Sequence, residues 1–567
     1  MNYIDWTVLF GTIAFIVAYG VWRTRGNRTV DGYLKGDNSM KWWMMGISIM
    51  ATQASAITFL STPGQAIEDG MRFLQFYFGL PIAMVIISVT MVPIYYRLKV
   101  YTAYEYLETR FDLKTRSLAA FLFLILRGLS AGITLFAPSL VLSTILGWST
   151  TFTTMIIGSL VIIYVTSGGT KAVSLTQRQQ MTVIMSGMLL AGILALSMLP
   201  DNVSFGDSVQ IAGELGKLNL VNLEFNPSDR YNIWSGLIAG TFLFLGYFGT
   251  DQSQVARYLS GTSITESRLS LLFNGLLKIP MQFIILFIGV LVYVFYLFNQ
   301  PPVFHNQVLK ERAMQTQGAT ALIDLEDEYN ILYQDKRKAV DELVTAIHEN
   351  NDAQIKSSSD VVKKIQAEEN VLRDSVRTAI GKAIPNAKTQ DRDYIFLNFV
   401  LNYLPNGIIG LLLAVMFCAA MSSMAGELNA LASTTTIDIY KRSVNTTASQ
   451  DHYLKASKGF TVAWALLAMV FSMLANFAEN LIQFVNIVGS LFYGPILGIF
   501  LTAFYIKWVK GTAVFWAAII AELIIFYCFR YTEIAFLLYN IIGCAAVIII
   551  SIILQIVMGR GRSDSRG

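Results

Sequence analysis

Charge is scarce in this chain of 567 residues: 14% are Asp, Glu, Lys or Arg, whereas about 25% is usual for a soluble protein. Many of the 42 basic and 38 acidic residues are crowded between positions 300 and 393, so the remainder cannot supply a solvated surface. An ordinary water-soluble domain is excluded. Histidine is nearly absent too, and His305, His348 and His452 all stand in polar segments. No histidine is therefore left in an apolar run to relay protons or bind haem. The three cysteines, Cys418, Cys528 and Cys544, lie inside apolar runs without metal-ligand spacing, which argues against disulfide and zinc frameworks. No Ser/His, Cys/His or metal constellation of an enzyme occurs, and no cofactor is expected. The net charge is only +4 and no basic cluster interleaves with aromatics, so nucleic acid is not an expected partner.

What replaces charge is apolar length: 54% of the residues are hydrophobic and 13% aromatic. Runs of about 20 apolar residues, enough to cross about 30 Å of hydrocarbon, recur everywhere outside the charged segment. The expected class is an all-α polytopic protein embedded in a lipid bilayer, multi-pass in the plasma (inner) membrane. Trp6 to Trp22 has no basic residue before it and no cleavage site after it, so it reads as a retained first helix rather than a signal peptide. Further spans fall near 42–66, 73–97, 117–146, 151–167, 179–199, 232–256, 270–298, 403–433, 459–478, 481–506, 512–530 and 534–558, about thirteen in all. Lysine and arginine set orientation. Arg23, Arg25, Arg28, Lys35 and Lys41 follow the first span, and Arg97, Lys99, Arg110, Lys114 and Arg116 follow the third. Counting on alternately, Lys441, Arg442, Lys455 and Lys458, then Lys507 and Lys510, then Arg560, Arg562 and Arg566 fall on the same side. That side is expected to be cytoplasmic, with the N-terminus outside and the C-terminus inside.

Pro301 to Asp393 is the compositional exception. Leu322, Leu325, Tyr329, Leu332 and Tyr333 recur at helical spacing, and Ser358 to Ala383 could supply a second helix. The spacing predicts a helical hairpin or short coiled coil, placed outside the cell by the span count. Its plain reading is a solvated insertion that stabilises the outer face; the alternatives are a protein partner at 300–393 or a part in gating.

Polar groups in hydrocarbon are costly and face a bundle interior or a pathway. The second span, GISIMATQASAITFLSTPGQA, has a core too small and polar for lipid, suited to close packing or to an interrupted helix whose free carbonyls coordinate a cation. The ninth, LLLAVMFCAAMSSMAGELNALASTTTIDIYKR, sets Ser422 and Ser423 beside Ala419, Ala420 and Ala425. A hard monovalent cation is held by several such neutral oxygens. Taken singly, each stretch also reads as small-residue packing.

Together with DGYLKGDNSMKWW, YTAYEYLETRF and GYFGTDQSQVARYLSGTSITESR, these stretches resemble the sodium:solute symporter family, over nearly all of the chain except the insertion. The resemblance implies the LeuT-type fold, in which five core helices are repeated upside down by the next five with the sites at the bilayer midplane. It divides the chain into a lead helix and loop (1–40), a first core repeat (41–200), a second repeat carrying the insertion (201–507) and two peripheral helices with a tail (508–567). The family's principal sodium site maps onto carbonyls of Ala51, Ala54 and Ala419 and the hydroxyls of Ser422 and Ser423. A second sodium site found in some members would need an aspartate where Gln177 stands and hydroxyls where Ala425 and Gly426 stand, so one sodium per solute is expected. The solute would face Gln53, Ser55 and Thr58 of core helix 1, Tyr77 and Phe78 of helix 2, Tyr247 of helix 6 and Asn486 of helix 10.

A hexose carrier's acidic residue and glutamine are missing at Tyr77 and Thr58, whereas the hydroxyls of Ser55 and Thr58 match sialic acid carriers. Arg127 is an arginine in core helix 3, set about one turn nearer the cytoplasm than those carriers' carboxylate clamp; it either grips a carboxylate or snorkels to the inner interface. Lys278 matches a lysine of some sugar sites. Asp251 is expected in a network with Arg257 or Lys278, Glu427 and Glu522 in structural roles, and Gly494–Pro495 as a hinge breaking core helix 10. The expected function is sodium-coupled symport of a sugar, sialic acid or monocarboxylate by alternating access. The rivals are proton coupling through Asp251 or Glu427, and a nutrient sensor of the same fold.

Overall fold

The computed structural model describes residues 1–24, 41–98, 100–385, 387–473 and 480–563. Arg25, Arg28, Lys35, Lys99 and Arg566, used above for orientation, and most of the DGYLKGDNSMKWW stretch lie outside the described residues.

The described chain is helical with no strand. Helix α1 (Tyr3–Thr24) packs along a later helix through Asp5, a fully buried carboxylate that accepts from the backbone N–H of Gly407 at 2.6 Å and Gly410 at 3.3 Å. The acid thus sits at the positive end of that helix. The second span is interrupted: α2 (Trp42–Gln53) and α3 (Ala56–Asp69) are separated by Ala54 at φ −86°, ψ 61° and Ser55 at φ −73°, ψ 173°. Gly70–Tyr77 forms a 3₁₀ turn leading to α4 (Leu80–Leu98), α5 (Glu105–Arg110) and α6 (Leu113–Leu146), whose N-cap Asp112 accepts from Thr115 N at 2.8 Å.

Residues Thr150–Ser197, α7, are helical throughout. Gly147, just before it, accepts from Arg312 of the insertion at 3.3 Å, and Asp207, just after it, meets His348 of the insertion at 3.4 Å. The segments flanking α7 therefore both touch the insertion, and the expected spans 151–167 and 179–199 fall within this one helical stretch. Helix α8 (Phe205–Glu214) carries a capping box from Ser204 and Asp207.

The next crossing is also broken. A wide-turn segment, Ser235–Ala239, runs into α9 (Gly240–Thr250); Asp251 leaves the helix at φ −79°, ψ 119° and caps α10 (Gln252–Tyr258) through Ser253 N at 2.8 Å. This second break was not legible in the sequence, where Asp251 in GTDQSQ stands as an N-cap residue type and nothing more. Helix α11 (Ile264–Phe298) follows and packs on α2, α3 and α4.

The insertion is a helical hairpin, as its spacing predicts. After α12 (Gln307–Met314) come α13 (Ala319–His348) and α14 (Asp352–Ala383), reversed at Asn350, whose φ of +52° is one that asparagine tolerates. Leu322 and Tyr329 are buried in its own core with Leu372, Val376 and Ile380, and Leu325 and Leu332 pack on that core. Lys336 and Glu369 pair at 2.6 Å across the two helices. The hairpin is fastened by Tyr329 OH on Pro301 O at 2.9 Å and by Arg377 on Glu68 at the end of α3, where Arg392 of the helix that follows also pairs. A polar cavity of about 420 Å³ lies between them.

Then follow α15 (Arg392–Tyr403), α16 (Ile408–Thr434), extended by a wide-turn segment to Val444, α17 (Gln450–Ser472), α18 (Leu481–Tyr505), α19 (Gly511–Tyr531) and α20 (Tyr539–Ser563). The expected break at Gly494–Pro495 is not there, because α18 runs through both residues. Gly494 instead allows close approach: a Cβ would lie 2.8 Å from Asn540 O. Among the described residues nine helical stretches are long and apolar enough to cross a membrane, with shorter apolar helices at Tyr3–Phe15, Thr150–Ile163 and Ser235–Thr250. The count of thirteen is not reached by length alone, since broken crossings divide into shorter pieces. Near the C-terminus, Gln555 of α20 accepts from Lys510 N at 2.8 Å.

Candidate cation and solute site

The break in the second crossing frees backbone carbonyls opposite α16. Ser422 and Ser423 are each 1% exposed there, and Ala51, Ala54 and Ala419 are buried around them. Ser423 Oγ donates to Thr52 O at a long 3.4 Å, while Ser422 Oγ has no partner among the described residues. A buried hydroxyl without a partner is uncommon and calls for a cause. Thr58 Oγ1 donates back to Gln53 O at 3.0 Å, bridging the break.

Beneath this lies a second polar cluster. Ser48 Oγ donates to Gln177 Oε1 at 2.6 Å, and Arg257 Nη1 approaches Ser48 Oγ at 2.7 Å and Gln177 Oε1 at 3.1 Å. A Cβ at Gly426 would stand 2.3 Å from Arg257 Nη2. The guanidinium therefore lies beside Gly426 and Gln177, two of the positions that a second sodium would need.

Above it a cavity of about 110 Å³ opens between α3, the 3₁₀ turn, α6, α9, α11, α16 and α18. Gln53, Ser55, Thr58, Tyr77, Arg127, Tyr247, Lys278 and Asn486 line it together. Phe78 does not: it is half-buried on the packed side of its turn, and Phe76 takes the place beside Tyr77 in the wall. Thr52, Ser130, Thr134, Phe244, Glu427 and Tyr493 also line it, residues the sequence reading had not placed there.

Arg127 is neither at the inner interface nor free. It pairs with Asp251, meets Glu427 Oε1 at 3.1 Å and Tyr493 OH at 2.7 Å, and stands 5.5 Å from the Tyr247 ring centroid. Tyr493 OH donates to Asp251 at 2.8 Å. Asp251 thus takes Arg127 as its partner, not Arg257 or Lys278, because the break at 251 turns its carboxylate towards α6. Inter-helical proximity of that kind leaves no mark in sequence spacing. Five polar atoms of wall residues are buried without partners among the described residues: both amide atoms of Gln53, Arg127 Nε, Lys278 Nζ and Glu427 Oε2. Glu522, on α19, is buried but is not in the wall. No cluster of three or more His, Cys, Asp or Glu able to hold a metal occurs among the described residues.

A multi-pass helical bundle with two broken crossings and unsatisfied oxygens between them is the architecture of a membrane carrier for small polar cargo. The family model for the sodium:solute symporter family matches residues 33–322 and 372–521, and the chain belongs to that family. The gap between the two matched segments, 323–371, falls within the insertion hairpin. A sodium/sialic acid symporter of Proteus mirabilis is 25% identical over 97% of this chain and 94% of its own. The human sodium-coupled monocarboxylate transporter 1 is 31% identical over 48% of this chain and 44% of its own. A solved structure of a Na⁺-coupled sialic acid symporter in a substrate-bound outward-open state superposes with a TM-score of 0.75 at 21% identity, covering 98% of both chains.

Proposed function

We propose that this protein moves a small organic solute, a sugar, sialic acid or monocarboxylate, into the cell together with one sodium ion by alternating access. Residues 41–200 and 201–507 act as the two inverted repeats, with the N-terminus and the insertion outside and the C-terminus in the cytoplasm. The observation that carries this reading is the broken span at Ala54–Ser55 facing Ser422 and Ser423, with a buried hydroxyl left unpartnered. Sodium would be held by carbonyls of Ala51, Ala54 and Ala419 and by the two serine hydroxyls. The solute would occupy the cavity above, between Gln53, Ser55, Thr58, Tyr77, Tyr247, Lys278 and Asn486. A single sodium is supported by the Arg257 guanidinium beside Gly426 and Gln177, since a fixed positive charge opposes a second cation there. Proton coupling finds less support, because Asp251 and Glu427 are both engaged by Arg127.

The test is thermal stability of the purified protein against sodium, with potassium and choline as controls. A ligand bound only by the folded form stabilises it by RT ln(1 + [L]/Kd), about 2.7 kcal/mol at a hundredfold excess over Kd. Saturable, sodium-specific stabilisation is expected, lost in the double variant Ser422→Ala, Ser423→Ala. Equal response to all three cations in the wild type would count against the reading.

A further inference from the structure

The central cavity holds an ammonium, that of Lys278, and one carboxylate oxygen, Glu427 Oε2, that the described residues leave without a partner. Lys278 Nζ is fully buried with no hydrogen-bond partner among the described residues, and the Tyr77 ring centroid lies 5.7 Å from it. Glu427 gives one oxygen to Arg127 and Thr134, while its Oε2 is buried and unpartnered. Arg127, the residue otherwise suited to a carboxylate, has both terminal nitrogens committed to Asp251, Glu427 and Tyr493, which leaves only its buried Nε without a partner among the described residues. A buried charge without a partner is strongly disfavoured, so each of these atoms calls for a group delivered from outside.

The balance of charge says which group. Arg127, Arg257 and Lys278 face Asp251 and Glu427, and among the described residues the hydrogen-bond partners of Arg257 are the neutral Ser48 and Gln177. These five groups together are one positive charge in excess before sodium enters and two after it. An anionic solute reduces that excess; a neutral one leaves it and an ammonium adds to it.

Resting on the symport reading above, we infer that the solute is a hydroxy-carboxylate whose carboxylate is received by Lys278, not Arg127, and whose hydroxyl donates to Glu427 Oε2. The Gln53 amide, with both its donor and its acceptor unspent, serves the remaining polar groups.

The experiment measures Kd by calorimetry in saturating sodium for lactate, lactamide, propionate, N-acetylneuraminate and the amide of the last. Wild type, Lys278→Met, Lys278→Arg, Glu427→Gln and Arg127→Lys are compared. In the wild type an acid is expected to bind tighter than its amide by about tenfold or more, the value of a charged hydrogen bond. Lys278→Met brings that ratio to about one and Lys278→Arg retains it, on the same hydrogen-bond argument. Glu427→Gln keeps the acid preference but narrows the gap between lactate and propionate, and Arg127→Lys weakens acid and amide alike. The inference is overturned if Lys278→Met keeps the acid preference, if Arg127→Lys alone abolishes it, or if no acid of the panel binds. Sodium stabilisation without solute is recorded for each variant. Its presence alongside a missing acid preference removes the carboxylate assignment alone, and its absence in the wild type removes the symport reading as well.

Discussion

Gly426 shows how one side chain's absence can set a site. With only hydrogen at that Cα, the Arg257 guanidinium lies against α16; a methyl group there would come within 2.3 Å of Nη2. Gly426→Ala is expected to push Arg257 off Ser48 and Gln177 and to lower stability by about 1–3 kcal/mol, the usual cost of overpacking, read from thermal melting without sodium. Arg127 is the larger case. Arg127→Met would leave Asp251 and Glu427 buried without their cation and should cost about 3–5 kcal/mol, visible as a lower melting temperature; an unchanged melt would mean that the two carboxylates find other partners. The chemical types of these residues were plain in the sequence, and Gln53, Ser55, Thr58, Tyr247 and Lys278 could be assigned to one cavity by resemblance. What could not be read was pairing: Arg127, Glu427 and Tyr493 come from three different helices and Asp251 from the break in a fourth crossing, and no spacing along a chain encodes their meeting.

The insertion is an element whose stability answers to pH. His305, beneath it, is fully buried, and burial together with the neighbouring Arg373 pushes its pKa from 6.5 down to about 3. It is neutral when folded, so the unfolded chain binds its proton first and stability falls as pH drops from 6.5 towards 3. Glu369 adds to the same trend. Burial alone would raise its pKa, but Lys336 and Arg373 overcome this and hold it at about 2, below the ordinary 4.5. The stability it supplies is complete above pH 4.5 and is lost as pH falls towards 2. Hydrogen exchange across residues 319–383, corrected for intrinsic rate, should accelerate below pH 6.5, with His305→Asn flattening the upper part of the curve and Glu369→Gln the lower. Constant protection from pH 7 to pH 4 would contradict this. The hairpin was legible because its apolar residues keep helical spacing in a polar setting. The break at Asp251 and the unbroken α18 were not, since a helix through Gly494–Pro495 depends on how tightly α20 packs against it.

For the whole molecule, the count of charges carried per cycle follows from the cavity. One elementary charge crossing 100 mV yields about 2.3 kcal/mol and a tenfold sodium gradient about 1.4 kcal/mol. A neutral solute moved with one sodium could therefore be concentrated roughly 500-fold. A carboxylate moved with one sodium carries no net charge, and its ceiling falls to about tenfold for the same sodium gradient. Proteoliposomes should accordingly show lactate or N-acetylneuraminate uptake that follows sodium but ignores an imposed potassium-diffusion potential. Uptake that rises with interior-negative potential would indicate a second cation.

The hairpin's attachment to Glu68 has a mechanical side. Helix α13, with its 30 residues, is a rod about 45 Å long, fastened near its base to the end of α3, a half of the broken crossing. Its other end is held as well, by His348 on Asp207 at 3.4 Å and by Leu343, Val344 and Ile347 buried in the core of the bundle, so the insertion is a brace between two points of the bundle. A change in the separation of those points must strain or release one of the two attachments, and a pair of spin labels, one near Asn350 and one on α17, would turn a motion buried in the membrane into a distance readable in water.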